Sequence, residues 1–145
     1  MKNYHGTRIS EELGDVQVEV QQLWGFCTEC KTYIPAGPDN QYEHFNEQFD
    51  MCSAEMSRVK VISTPLKKRN DIEPTDFEWG KHRGVGAQNL AIAILWDALN
   101  EPPSRYLIRN FANELLSRLP EKEWNLSEDK VIQWFHSKSH RHILV

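Results

Sequence analysis

The sequence predicts an α+β fold: a small antiparallel sheet, an inserted amphipathic helix and a C-terminal three-helix unit, in a single domain over residues 1–145. Three observations carry this. Val16, Val18 and Val20 alternate with Gln17, Glu19 and Gln21, the period-two pattern of a strand with one wet face. Ala87, Leu90, Ala91, Ile94, Leu95, Ala98 and Leu99 line up as one continuous helical face. Apolar residues at helical spacing recur from Tyr42 to Met56 and again from Tyr106 to Leu119.

Taken in order, residues 2–8 read as a short first strand, and Gly14-Asp15 signals a turn into a second over residues 15–22. Residues 23–35 form a short aromatic loop holding Cys27-x-x-Cys30, followed by the turn Ala36-Gly37-Pro38-Asp39. Asp39 is placed to cap a helix over residues 40–57. In that helix Tyr42, Phe45, Phe49, Cys52 and Met56 make the buried stripe, and Glu43, Glu47, Asp50 and Glu55 the solvated acidic face. A strand over residues 59–62 follows, ended by Thr64-Pro65, and then the basic run Lys67-Lys68-Arg69.

The chain is organised around Phe77-Glu78-Trp79-Gly80-Lys81-His82-Arg83-Gly84-Val85-Gly86 and the helix it leads into. That helix, residues 87–99, also carries Ile92, Ala93 and Trp96 on its other side, so it is central, with elements packed on several faces. Pro102-Pro103 breaks the chain before a second helix over residues 103–119, which Pro120 stops. Ser127 caps the last helix, whose core face is Val131, Trp134 and Phe135. The organisation is a strand-rich part over 1–63, a helical part over 64–137 and a tail over 138–145 without a period.

Composition bounds the function. A net charge of −4 speaks against indiscriminate binding of nucleic acid or anionic membrane by the whole surface, while leaving room for a local basic patch. No stretch has the about 20 apolar residues of a membrane span, and the opening Met1-Lys2-Asn3-Tyr4-His5 is no signal peptide. Three cysteines, an odd number, suit the reducing cytoplasm better than a disulfide framework.

Several constellations are candidates for chemistry. Cys27-x-x-Cys30 has the spacing at which two thiolates reach one zinc, with Cys52 or His44 as further ligands. Within a straight helix, positions 44 and 52 lie about 12 Å apart along the axis, so one of them can bind and not both. The alternative is a set of free thiols, Cys52 acting as a small hydrophobe on the helix stripe. The glycine loop from Gly80 to Gly86 offers backbone amides at a helix N-terminus, an anion site in principle, or a tight turn with positive φ. Lys67, Lys68, Arg69, Lys81 and Arg83, with Trp79 to stack on a base, would make a nucleic-acid face. No metalloprotease, hydrolase or paired-acid motif is present.

Tyr4-His5-Gly6-Thr7-Arg8, Phe77-Glu78-Trp79-Gly80, Gly84, Gly86-Ala87-Gln88 and Leu90-Ala91 resemble the small bacterial and phage family catalogued as domain of unknown function 6166. In that family the chain opens with Tyr-x-Gly-x-Arg and the central segment is Phe-Glu-Trp-Gly-Tyr-Gly-Gly-x-Gly-Pro-Ala-Gln-Leu-Ala. Here Lys81-His82-Arg83 replaces the Tyr-Gly-Gly, and Gly86-Ala87 is one residue shorter than the Gly-Pro-Ala. The resemblance covers residues 4–20 and about 64–136, with 21–63 as an insertion. It implies a fold and no chemistry. The opening is also similar to that of ADP-ribosyltransferase-type folds, without the later tyrosine and glutamate that chemistry needs. The resulting expectation is a non-enzymatic interaction module, a phage or mobile-element regulator that binds a protein partner through Glu43, Glu47 and Asp50. The alternatives are a nucleic-acid-binding accessory protein and a small zinc-stabilised domain, with a homodimer possible in each case. Zinc is the one cofactor the sequence admits.

Overall fold

The computed structural model describes residues 2–9, 16–37, 42–52, 56–70, 75–82 and 84–144, with side chains through residue 138. The elements run β1 (Lys2–Arg8), β2 (Val16–Cys27), β3 (Thr32–Pro35), β4 (His44–Phe45), β5 (Met51–Cys52), β6 (Met56–Pro65), α1 (Val85–Leu99), α2 (Arg105–Glu114), a 3-10 turn (Leu116–Arg118), β7 (Glu123–Ser127) and α3 (Glu128–Leu144). This is an α+β protein, as the alternation in β2 and the periodicity of α1 predict.

The main sheet is antiparallel and has five strands. β2 is its spine. Along one edge it pairs with β6 from Glu19 to Cys27; along the other it pairs first with β1 and then, beyond Gln22, with β3. β7 closes the outer side of β1, Tyr4 opposite Leu126 and Gly6 opposite Trp124. The helices cover one face of the β1–β2–β7 part. There Tyr4, Val18, Val20, Trp124 and Leu126 join Phe77, Trp79, Leu90, Ile94, Leu95, Phe111, Leu116 and Val131 in one buried cluster. α1 buries residues on most of its circumference, Asn89 among them, whose amide donates to the Thr75 carbonyl at 3.2 Å. Gly6 is required by close approach: a Cβ there would lie 2.2 Å from the Trp124 ring.

The segment before α1 is a lock. The Trp79 side chain is fully buried, its indole N–H donates to the Glu121 carbonyl at 3.1 Å, and its ring meets Trp124 edge to face at 5.5 Å. Arg8 lies over the Trp79 ring and forks onto Glu78, with nitrogens 3.3 and 2.8 Å from the two carboxylate oxygens. Gly80 and Gly84 take positive φ at the turn that delivers the chain into α1. Ser104 caps α2, its Oγ accepting from Leu107 N, and Ser127 caps α3 by accepting from Lys130 N.

Four expectations change. The helix over 40–57 is replaced by a hairpin: β4 and β5 pair antiparallel, Phe45 opposite Met51, and β6 begins at Met56. Asn46 makes the turn, its Oδ1 accepting from Gln48 N at 3.0 Å and Asp50 N at 2.9 Å, with Phe49 at positive φ. The 23–35 loop is the distal half of β2, a turn and β3. A strand, β7, precedes the last helix, and that helix runs on through the expected tail to Leu144. Asp39, the expected cap, lies outside the described residues.

Candidate metal centre

The distal half of β2 leaves the helical layer behind. Among the described residues, none in the buried core cluster lies between Val20 and Leu66. What the distal part buries instead is Gly25, Cys27, Ala36 and Cys52. Gly25 lets Tyr42 and Met56 close over the sheet on the Cys27 side, since a Cβ there would stand 2.9 Å from the Met56 Cβ and 3.0 Å from the Tyr42 ring.

On that side four potential ligands converge. One sulfur each from Cys27, Cys30 and Cys52 and one imidazole nitrogen from His44 all lie within 4.8 Å of one another. Each is placed by a separate local device. Cys27 is the last residue of β2, and the turn behind it returns with Lys31 at positive φ, its N–H donating to the Cys27 carbonyl at 2.8 Å. This tight turn brings Cys30 back beside Cys27, and the Cys30 N–H donates to the Cys27 sulfur at 3.4 Å. His44 and Cys52 are direct partners in the β4–β5 register, so their side chains leave the hairpin on the same face. The helix expectation put them about two turns apart and excluded joint ligation; the hairpin makes them neighbours.

The distances suit a tetrahedral ion. Zinc–sulfur bonds of about 2.3 Å set ligand atoms about 3.8 Å apart on the edge of a tetrahedron. The Cys27 and Cys52 sulfurs are 3.9 Å apart, and His44 Nε2 is 3.2 Å from the Cys30 sulfur. His44 Nδ1 is 2.8 Å from the Tyr42 carbonyl, which can only accept, so Nδ1 carries the proton and the Nε2 lone pair faces the sulfurs. All three cysteines are free thiols rather than disulfides.

The electrostatics agree. The backbone N–H of Cys30 holds the Cys27 thiol down to about 7, while burial pushes the Cys30 thiol up to about 12, helped by the adjacent Cys52 and Cys27 sulfurs. Three cysteine sulfurs and one imidazole nitrogen are a donor set that a structural zinc ion takes.

The other sequence candidates fall in different places. Glu43, Glu47 and Asp50 are exposed on the β4–β5 hairpin rather than on a helix. Trp79 is buried and cannot stack on a base, which removes it from the nucleic-acid face. Lys68 pairs with Asp76 at 2.7 Å, and Arg69 lies 4.9 Å over the Trp96 ring. Lys67 is exposed and lines a cleft with Lys2 and Trp24. Lys81 is exposed beside Glu121, whose carboxylate also takes His82 at 3.3 Å, and Arg83 lies outside the described residues. The helical reading allowed His44 or Cys52 beside Cys27 and Cys30 and not both, so the four residues were in view while their joint placement depended on the hairpin.

The molecule is therefore a two-layer α+β domain with a Cys3His cluster at the uncovered end of its sheet. The chain belongs to the family of unknown function DUF6166, which matches residues 52–137. Cys52 is the first matched residue, and Cys27, Cys30 and His44 precede the match. No curated protein and no solved structure matches the chain. Among the described residues no helix is long and apolar enough to cross a membrane.

Proposed function

We propose that this protein is a non-enzymatic recognition module whose distal lobe is held together by one structural zinc ion bound to Cys27, Cys30, His44 and Cys52. The observation that carries the reading is the convergence of these four side chains within 4.8 Å at the coreless end of the sheet. Four protein ligands leave no open position for a substrate or an activated water, which favours a structural role over a hydrolytic one. The metal ties the β2–β3 turn to the β4–β5 hairpin and so fixes the shape of a surface that apolar burial does not fix. On the family resemblance alone, we place the module among cytoplasmic regulators of phage or mobile-element origin.

Cobalt(II) titration of metal-stripped protein tests the site. A tetrahedral thiolate set gives intense visible absorption and thiolate-to-metal bands, with one equivalent bound and displaced by zinc. Cys52→Ser weakens both bands and affinity. Octahedral, weakly absorbing cobalt, or no uptake, overturns the reading.

The hairpin favours a second reading for the partner. Phe45, Phe49 and Met51 are 67%, 86% and 57% exposed beside Glu43, Glu47 and Asp50. An apolar knuckle rimmed by carboxylates suits a basic amphipathic segment of another protein. Binding of a synthetic Leu/Lys helical peptide, lost on reversing the three acids to lysine, supports it; binding that survives the reversal contradicts it.

A further inference from the structure

The opposite face of the distal lobe has another character. Side chains alternate along β2, so Trp24 and Phe26 point away from the Cys27 side. Tyr33 of β3 is the register partner of Phe26, and the two rings meet edge to face with centroids 5.3 Å apart. Lys60 of β6 is the register partner of Trp24, and its ammonium lies 4.2 Å from the Tyr33 ring centroid. The β2–β6 register breaks between Trp24 and Phe26, with Arg58 at positive φ, and this irregularity carries the Arg58 guanidinium to 5.4 Å from the Phe26 centroid. Past Trp24 the same face continues into a cleft lined by Lys2, Gln22, Ile62, Lys67 and Asp97. Asp97 is the acid on this strip, and it is engaged by Lys2 at 3.3 Å and by the Tyr4 hydroxyl at 2.7 Å. Arg58, Lys60 and Lys67 are exposed cations.

We infer that this face, Trp24, Phe26 and Tyr33 with Arg58, Lys60 and Lys67, binds single-stranded nucleic acid. Three half-buried aromatic rings on a sheet surface that no helix covers among the described residues, with cations spaced along them, are the components of a stacking platform with a phosphate track. Arg58 and Lys60 rest on the Phe26 and Tyr33 ring faces in the free protein; moving onto phosphates, they leave those faces to the bases. Charge complementarity selects a polyanion, and the aromatic spacing selects one that carries planar rings. A duplex keeps its bases stacked internally and cannot use the platform. The chain's net charge of −4 confines binding to this strip rather than to the surface at large. The inference deepens the recognition-module reading: the zinc would clamp the Cys27–Cys30 turn that joins the strand bearing Phe26 to the strand bearing Tyr33.

The test is fluorescence anisotropy with the intact protein as purified and labelled dT12, rU12, a 12-base-pair duplex and a 12-residue polyglutamate, across a salt series. The expected result is binding of dT12 or rU12 in preference to the duplex and polyglutamate. Tyr33→Leu, which keeps apolar volume but removes the ring, weakens it about tenfold. Arg58→Gln and Lys60→Gln each lower the slope of log K against log salt by about 0.7. Equal or tighter polyglutamate or duplex binding, insensitivity to all three substitutions, or no binding at low salt overturns the inference. Metal content is measured on the same samples. Zinc without oligonucleotide binding removes this inference and leaves the metal site; oligonucleotide binding without metal does the reverse.

Discussion

The two ends of the β2 spine are stabilised by different physics. At the proximal end, Val18 and Val20 sit beneath three helices in a continuous apolar cluster that includes the buried Trp79, Phe111 and Leu95. Burial of such side chains contributes about 1.5–3 kcal/mol each, enough to hold that half without help. At the distal end the same strand carries Trp24, Phe26 and Cys27, and among the described residues no helix covers it and the buried ones are Gly25, Cys27, Ala36 and Cys52. A lobe with so little burial gains most from a staple, and on the reading proposed above a closed metal site at Cys27, Cys30, His44 and Cys52 supplies it. The comparison teaches that one strand can run from beneath an apolar layer into a region with little burial without breaking.

The largest expected effect lies at the staple. Structural zinc in small sites contributes on the order of 10 kcal/mol of binding free energy, which in a coreless lobe is folding free energy. Changing Cys27 and Cys30 together to serine is expected to abolish hydrogen-exchange protection in β3 and distal β2 while α1 and β1 stay protected. Unchanged protection in β3 would show that the lobe does not depend on the thiols. At the other end, Trp79→Ala removes a fully buried indole and its bond to the Glu121 carbonyl, and is expected to cost about 3–5 kcal/mol in urea unfolding of the proximal half. If its cost is instead below 1 kcal/mol by the same measurement, the lock before α1 is not structural.

How much of this was legible varies along the chain for physical reasons. β1, proximal β2, α1 and the Ser127 cap follow from local periodicity and capping chemistry, because their buried faces really are buried. Residues 42–56 misled because Tyr42, Phe45, Phe49, Cys52 and Met56 happen to fall at helical spacing, yet Phe45 and Phe49 face solvent. The Asn46 turn and the β4–β5 pairing outweigh that pattern. β7 was missed because its alternation lasts only from Trp124 to Leu126 before the helix starts. The Cys-x-x-Cys pair was visible, but which further residues join it depended on the secondary structure between them.

A smaller effect sharpens the proximal side. The Tyr4 hydroxyl is buried and donates to Asp97 at 2.7 Å, and burial, with Asp97 adding to it, drives its pKa well above the usual value near 10. A pKa raised in the folded state means stability that is full below about pH 10 and is lost as pH rises beyond it, because the unfolded chain ionises first. Tyr4→Phe is expected to lower stability by about 1.5–3 kcal/mol near neutrality, the range for a hydrogen bond to a charged group, and to flatten the alkaline loss above pH 10. An identical alkaline slope in urea unfolding of the two proteins would contradict this.

Native mass spectrometry of the purified protein, before and after a chelator, tests the central claim most directly. The account expects one zinc per chain, removed by the chelator together with a shift to higher charge states as the distal lobe opens. A chain that stays metal-free after added zinc, with the same charge-state distribution throughout, would contradict it.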